Sequence, residues 1–179
     1  MAYTSSQVVQ AVPTGINSAL VLISKTTVAS TTQQIFTNCF SASYDFYSVK
    51  FSNFTAAAQI NMRYGTSGTP DTASTYSNSS IYNDSANVTT GGYQFNGSSN
   101  TLLGYAYAGG SHINLEIQNP FLTQNTNYQS NAHGLSTGSQ VITNYYNGVK
   151  GTSTSYTDLV ILSAANFSGT ISIYGYTNS

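Results

Sequence analysis

From His112 to Asn119 the chain alternates without a break, with Ile113, Leu115 and Ile117 on one side and Asn114, Glu116 and Gln118 on the other. Side chains of a strand point to opposite faces in turn, so this pattern predicts a half-buried antiparallel strand and not a helix. Pro120 stops it. The same period recurs where Tyr47, Val49 and Phe51 face Ser48, Lys50 and Ser52, and where Ile60, Met62 and Tyr64 face Asn61 and Arg63. Residues 20–28, 35–40, 93–95, 102–107 (with a bulge near Gly104), 123–131, 141–145 and 170–176 read as further strands, and residues 158–163 as a strand buried on both faces. Turns are expected at residues 131–134, at Asn147-Gly148 and at residues 166–169. No segment carries an amphipathic helical period. Eight to ten short strands with Gly, Asn and Ser turns predict an all-β antiparallel β-sandwich, jelly-roll-like in strand number. Ile113, Leu115 and Ile117 should share its core with Leu159, Ile161, Ile171 and Ile173.

A length of 179 residues suits one domain. Residues 1–18 are polar around Val8, Val9, Val12 and Ile16 and read as an extended N-terminal arm that orders against a neighbouring chain. Residues 19–179 are the sandwich. Within it, residues 65–92 lose periodicity and read as a long insertion with a short strand near residues 80–82. Long ordered loops of this kind are commonly functional or interface-forming.

Only four cations (Lys25, Lys50, Arg63, Lys150) and five acids (Asp45, Asp71, Asp84, Glu116, Asp158) are present, while 27 Ser, 24 Thr, 18 Asn and 10 Gln supply the polarity. So few cations argue against nucleic-acid binding, which needs several phosphate contacts, and against polybasic attachment to membranes. The longest apolar stretch, Ala19 to Ile23, is far short of the roughly 20 residues of a membrane helix, and no secretory signal is expected in the first residues. A net charge of −1 gives weak protection against self-association, which suits a protein that assembles. Cys39 is the single cysteine and reads as a buried, inert thiol. The six Asn-x-Ser/Thr sites are about what chance gives for this composition.

The supply of chemistry is thin. His112 and His133 show no metal-ligand spacing, and the acids are widely spread. Asp71 and Asp158 read as turn or strand-entry residues, and Asp45 as a residue that holds local backbone N–H groups. Any two acids could meet in space, but no spacing suggests a glycosidase pair. No nucleophile elbow or phosphate loop occurs. No catalytic residue, metal or cofactor is expected, and the chain reads as a non-enzyme. The tyrosines are more informative. Tyr76, Tyr82, Tyr93, Tyr105, Tyr107, Tyr145 and Tyr146 lie in or beside Asn- and Ser-rich segments. Tyrosine anchors protein interfaces, stacks on sugar rings and fills cores with its hydroxyl at the rim, and all three uses stay open for these residues. The interface candidates are Val8, Val9, Val12, Ile16, Tyr76, Tyr82, Tyr105, Tyr107, Tyr145 and Tyr146.

Three segments, Leu20-Val21-Leu22-Ile23-Ser24-Lys25, Phe40-Ser41-Ala42-Ser43-Tyr44-Asp45-Phe46-Tyr47 and Ile171-Ser172-Ile173-Tyr174-Gly175, occur in an order and spacing that resembles small structural proteins of tailed bacteriophages, above all of marine and cyanobacterial phages. Their strand-to-loop passage corresponds to Met62-Arg63-Tyr64-Gly65-Thr66-Ser67-Gly68 here. The resemblance spans about residues 20–176 and rests on short strand and turn motifs. It implies a virion β-sandwich protein, made in the host cytoplasm, that decorates or cements the capsid. Its partners would be other virion proteins (the major capsid protein, or tail and fibre proteins) and further copies of itself as a homo-oligomer. The alternative is a receptor- or glycan-binding fibre, knob or tail domain that contacts host surface glycans.

Overall fold

A computed structural model describes residues 20–84, 89–135 and 141–177. They form eleven strands and, among the described residues, no helix: β1 (Leu20–Phe36), β2 (Phe46–Thr55), β3 (Ala58–Thr66), β4 (Thr69–Pro70), β5 (Tyr76–Asp84), β6 (Thr89–Ser98), β7 (Thr101–Ala106), β8 (Ser111–Gln118), β9 (Thr126–Leu135), β10 (Val141–Lys150) and β11 (Asp158–Tyr176). All pairings are antiparallel. The main path runs β4-β3-β11-β2-β8-β9-β10-β5-β6, with β1 on β11 and β7 on β3. The proposed arm, with Val8, Val9, Val12 and Ile16, lies outside the described residues.

One strand makes this path into two layers. The first part of β11 (158–163) pairs with β3, and its second part (168–176) pairs with β2. β1 follows it round the corner, with Leu20 to Val28 along the second part and Gln33 to Phe36 along the first. At the corner β1, β2 and β11 all break register, and Ser30 and Asn53 take positive φ of 49° and 50°. Bulges of this kind let a strand bend from one sheet into another. Gly169 is the tightest point. Its φ is 144°, and a Cβ there would lie 2.8 Å from Phe54 Cα and 2.9 Å from Asn53 O. The large layer is therefore β1-β11-β2-β8-β9-β10-β5-β6. The small layer (β1, β11, β3, β4 and β7) lies over it, with Ser130 of β9 donating to the Leu103 carbonyl of β7 at 2.7 Å.

The core sits between the layers where the sequence places it. Ile113, Leu115, Ile117, Leu159, Ile161, Ile171 and Ile173 are all buried, and so are Tyr47, Val49, Phe51, Ile60, Met62 and Tyr64. Asp158 to Ile161 are buried on both faces, as the unbroken apolar run predicts. Cys39 is buried, and burial pushes its thiol up to about 12, with the Leu159 backbone only partly offsetting that. Toward β5 and β10 the core turns polar. Asn78, Ser80, Asn144, Thr126 and Ser130 point inward, and Asn78 Nδ2 donates to Thr101 Oγ1 at 2.8 Å.

Several turn readings are corrected. Asn147-Gly148 is the middle of β10, with Gly148 opposite Tyr128 on one side and Asn78 on the other. The glycine serves close packing there: a Cβ would meet the Tyr128 hydroxyl and lie 2.6 Å from Ser77 O. Residues 131–134 continue β9, and Gly134 leaves room for Ser111 Oγ and the Tyr107 ring. Residues 166–169 are the bend of β11, not a turn between strands. β1 is one bent strand where two were expected. The insertion at residues 65–92 contains β4, β5 and the start of β6. The bulge near Gly104 is present, as a register shift opposite Ile60 and Asn61.

Leu115 is fully enclosed between the layers. Leu115→Ala should lower the unfolding free energy by about 2–5 kcal/mol. Urea denaturation of the two proteins measures this; a loss under about 0.5 kcal/mol would contradict the core position.

Candidate functional site

The ionisable groups divide into those the fold consumes and those it leaves on the surface. Asp158, at the head of β11, accepts hydrogen bonds from the Asn38 N–H at 2.9 Å, the Gly68 N–H at 2.5 Å and the Thr157 hydroxyl at 2.7 Å. Burial pushes its carboxyl up, but these donors outweigh burial and hold it below the ordinary value. It thereby ties the segment after β1 and the β3–β4 turn to the start of β11.

Asp71 and Lys150 form a second lock. Lys150 Nζ lies 3.1 Å from Asp71 Oδ2, donates to the Ala73 carbonyl at 3.0 Å and sits 4.1 Å above the Tyr76 ring. The Tyr156 hydroxyl donates to Asp71 Oδ2 at 2.7 Å, and the Tyr76 hydroxyl accepts the Tyr64 N–H at 2.7 Å. Tyr64 stacks on both Tyr76 and Tyr156. For Asp71, burial raises the carboxyl, but Tyr156, the Ala73 N–H and Lys150 together bring it below its ordinary value. For Lys150, burial lowers the ammonium and outweighs the support of Asp71. The Lys150 side chain is wholly enclosed, while Asp71 keeps 24% of its side chain exposed.

His112 and His133 lie directly opposite each other on β8 and β9, with their rings stacked 5.4 Å apart on the exposed face. Among the described residues no three His, Cys, Asp or Glu side chains gather in a metal-binding group. Two of the other acids do converge. Asp45 and Glu116 line one open hollow of about 810 Å³ with Phe46, Gln118, Asn119, Gln129, Tyr176 and Thr177. A second hollow of about 320 Å³ adjoins it, shares Glu116 and Gln129, and reaches Tyr145 and Asn147. Register aligns most of the lining: Ser48, Glu116, Gln129 and Asn147 form one row across β2, β8, β9 and β10, and Lys50, Asn114, Asn131 and Tyr145 form the next. Glu116 Oε1 accepts the Ser48 hydroxyl at 2.8 Å. The Asp45 backbone carbonyl accepts the Asn119 N–H at 2.7 Å, which fixes the rim.

The tyrosines separate. Tyr76 and Tyr146 are corrected to core residues, 1% and 3% exposed, so they present no surface to a partner. Tyr145 and Tyr105 are exposed, and Tyr82 and Tyr107 are half-buried. Tyr105 stacks on Tyr107 and accepts a hydrogen bond from Gln59 at 2.6 Å, away from the groove. Of the described candidates, only Tyr145 offers an exposed ring to the groove, and Tyr146 is a buried part of its lining. Sequence reasoning misses Phe46, Gln118, Gln129 and Tyr176, because nothing in one strand tells which residues of other strands share its row. No protein-family model matches the chain, and no curated protein matches it.

Asp71→Ala leaves the Lys150 ammonium enclosed without its counter-ion and should cost about 3–5 kcal/mol. Lys150→Met added to Asp71→Ala should recover part of that loss in urea denaturation; a single-mutant cost under about 1 kcal/mol would show that the pair is not a lock.

Asp71 and Asp158 both ionise more readily folded than unfolded, where a carboxyl has its ordinary value of 3.8. Below that value the unfolded chain takes up more protons than the folded one. Their stabilisation is therefore complete well above pH 3.8 and is lost as pH falls through the folded values. The melting temperature, followed from about pH 7 to about pH 2, should hold and then drop below about pH 4. A flat profile there would contradict the assignment.

Proposed function

We propose that the chain is a non-enzymatic structural protein of a tailed-bacteriophage virion, one that decorates the capsid shell beside further copies of itself. The phage-like strand and turn motifs at residues 20–25, 40–47, 62–65 and 171–175 point to a virion. The observation that carries assembly is the pair of sheet edges. β6 pairs only with β5, and β1 only with β11, among the described residues. Proteins that stay monomeric guard such edges with charge, Pro or very short strands. β6 has ten residues with neither charge nor Pro, and β1 presents Leu20 and Leu22 at 44% and 52% exposure around the single charge of Lys25. The non-enzymatic reading draws on the use of Asp71, Lys150 and Asp158 as structural locks, which takes three of the few ionisable groups out of surface chemistry. Among the described residues no helix is long and apolar enough to cross a membrane.

Quantitative mass spectrometry of purified particles tests this reading. A copy number comparable with that of the major shell protein is expected, and a handful of copies or none would overturn shell decoration. Gln94→Lys with Asn96→Lys charges the β6 edge. In sedimentation and incorporation assays this variant should self-associate less and enter fewer particles while its circular dichroism is unchanged. Wild-type association would remove β6 from the interface.

A further inference from the structure

We infer that the groove across β2, β8, β9 and β10 is a binding site for a neutral oligosaccharide. Four observations define the ligand. The groove is long and open: two adjoining hollows of about 810 and 320 Å³ cross three strand spacings of ~4.8 Å, roughly 14 Å in all. That is room for a short extended chain and more than a single ring needs.

Its floor is made of groups that suit hydroxyls. Gln118, Asn119, Gln129, Asn114, Asn131 and Asn147 carry amides, each both donor and acceptor, and a sugar hydroxyl is both as well. Asp45 and Glu116 add acceptors that suit paired hydroxyl donors.

Its ends are aromatic. Tyr176 and Phe46 are cross-strand neighbours at one end, with Phe46 45% exposed, and Tyr145 is 50% exposed at the other. A flat exposed ring without a charge is a surface for the C–H face of a pyranose, as the amides are for its rim.

The charge selects among glycans. No Lys, Arg or His is among the lining residues, and Lys50 sits at the margin with its Nζ 3.4 Å from Asn114 Oδ1. Two carboxylates in the lining, against one ammonium at its margin, disfavour uronates, sialic acids and sulfated sugars. They would also attract a cationic peptide, which the oligolysine arm of the test below distinguishes. Neutral amides are six of the fourteen lining residues, against two acids.

The site does not depend on shell decoration, because a decorating protein and a fibre domain could each carry it. Isothermal titration of the full chain against neutral oligosaccharides (cello-, laminari-, malto-, manno- and chito-hexaose) tests it, with oligogalacturonate and oligolysine as charged competitors. Saturable binding to at least one neutral oligosaccharide is expected. Phe46→Ala and Gln129→Ala, both at exposed positions, should each weaken it at least tenfold with the melting temperature unchanged. Thr37→Ala, exposed beyond the end of β1 and outside both hollows, should leave it as in the wild type. No saturable binding at millimolar sugar, binding only to a charged probe, or affinity unmoved by both groove variants would overturn the proposal. Sugar recovered at full length after incubation is also expected. Shortened products would overturn the non-enzymatic reading and leave the binding site standing.

Discussion

The structure depends on one strand that belongs to both layers. β11 runs for nineteen residues and hydrogen-bonds to β1, β2 and β3. A straight strand of that length would extend a flat sheet and leave its apolar residues without a partner layer. The bend at Gly169 turns it back, so that Leu159 and Ile161 before the bend and Ile171 and Ile173 after it reach one core. Only a residue without Cβ fits against the Phe54 backbone at that point, so the two-layer architecture is tied to a single glycine.

A chain this poor in charge uses its few ions sparingly and inside. Asp158 neutralises no cation; it takes two backbone N–H groups and a hydroxyl that would otherwise be left without partners. Asp71 and Lys150 close a loop over three stacked tyrosines. The outer faces are left to Ser, Thr, Asn and Gln, which solvate a surface without giving it a repulsive field. The same composition makes uncharged sheet edges tolerable for an assembling protein and builds the amide floor of the groove.

The apolar half of the fold was legible in the sequence. Ile113, Leu115 and Ile117 alternate with polar residues because one face is dry and the other wet, and 158–161 is continuous because both faces are dry. The polar half was not. On β5 and β10 the inward residues include Asn78, Ser80 and Asn144, so alternation of hydrophobicity vanishes although alternation of burial persists. Glycine misled for a related reason. Gly134 and Gly148 are required by neighbours that are distant in sequence, and within the chain they look the same as turn glycines. The candidate site was only half legible: Asp45 and Glu116 were visible as acids, but their meeting is a product of the β2–β8 register, which no local pattern carries.

The dependence of both layers on β11 also sets an order of events during synthesis. Among the described residues β1 emerges first and has no strand partner but β11, which emerges more than a hundred residues later. β2 and β3 likewise wait for it along one edge each. The meander β8-β9-β10 can zip from local turns as it leaves the ribosome, whereas the small layer cannot close until β11 is out. Folding is therefore a late, non-local closure around an early hairpin platform, with Leu20 to Phe36 held open in the meantime.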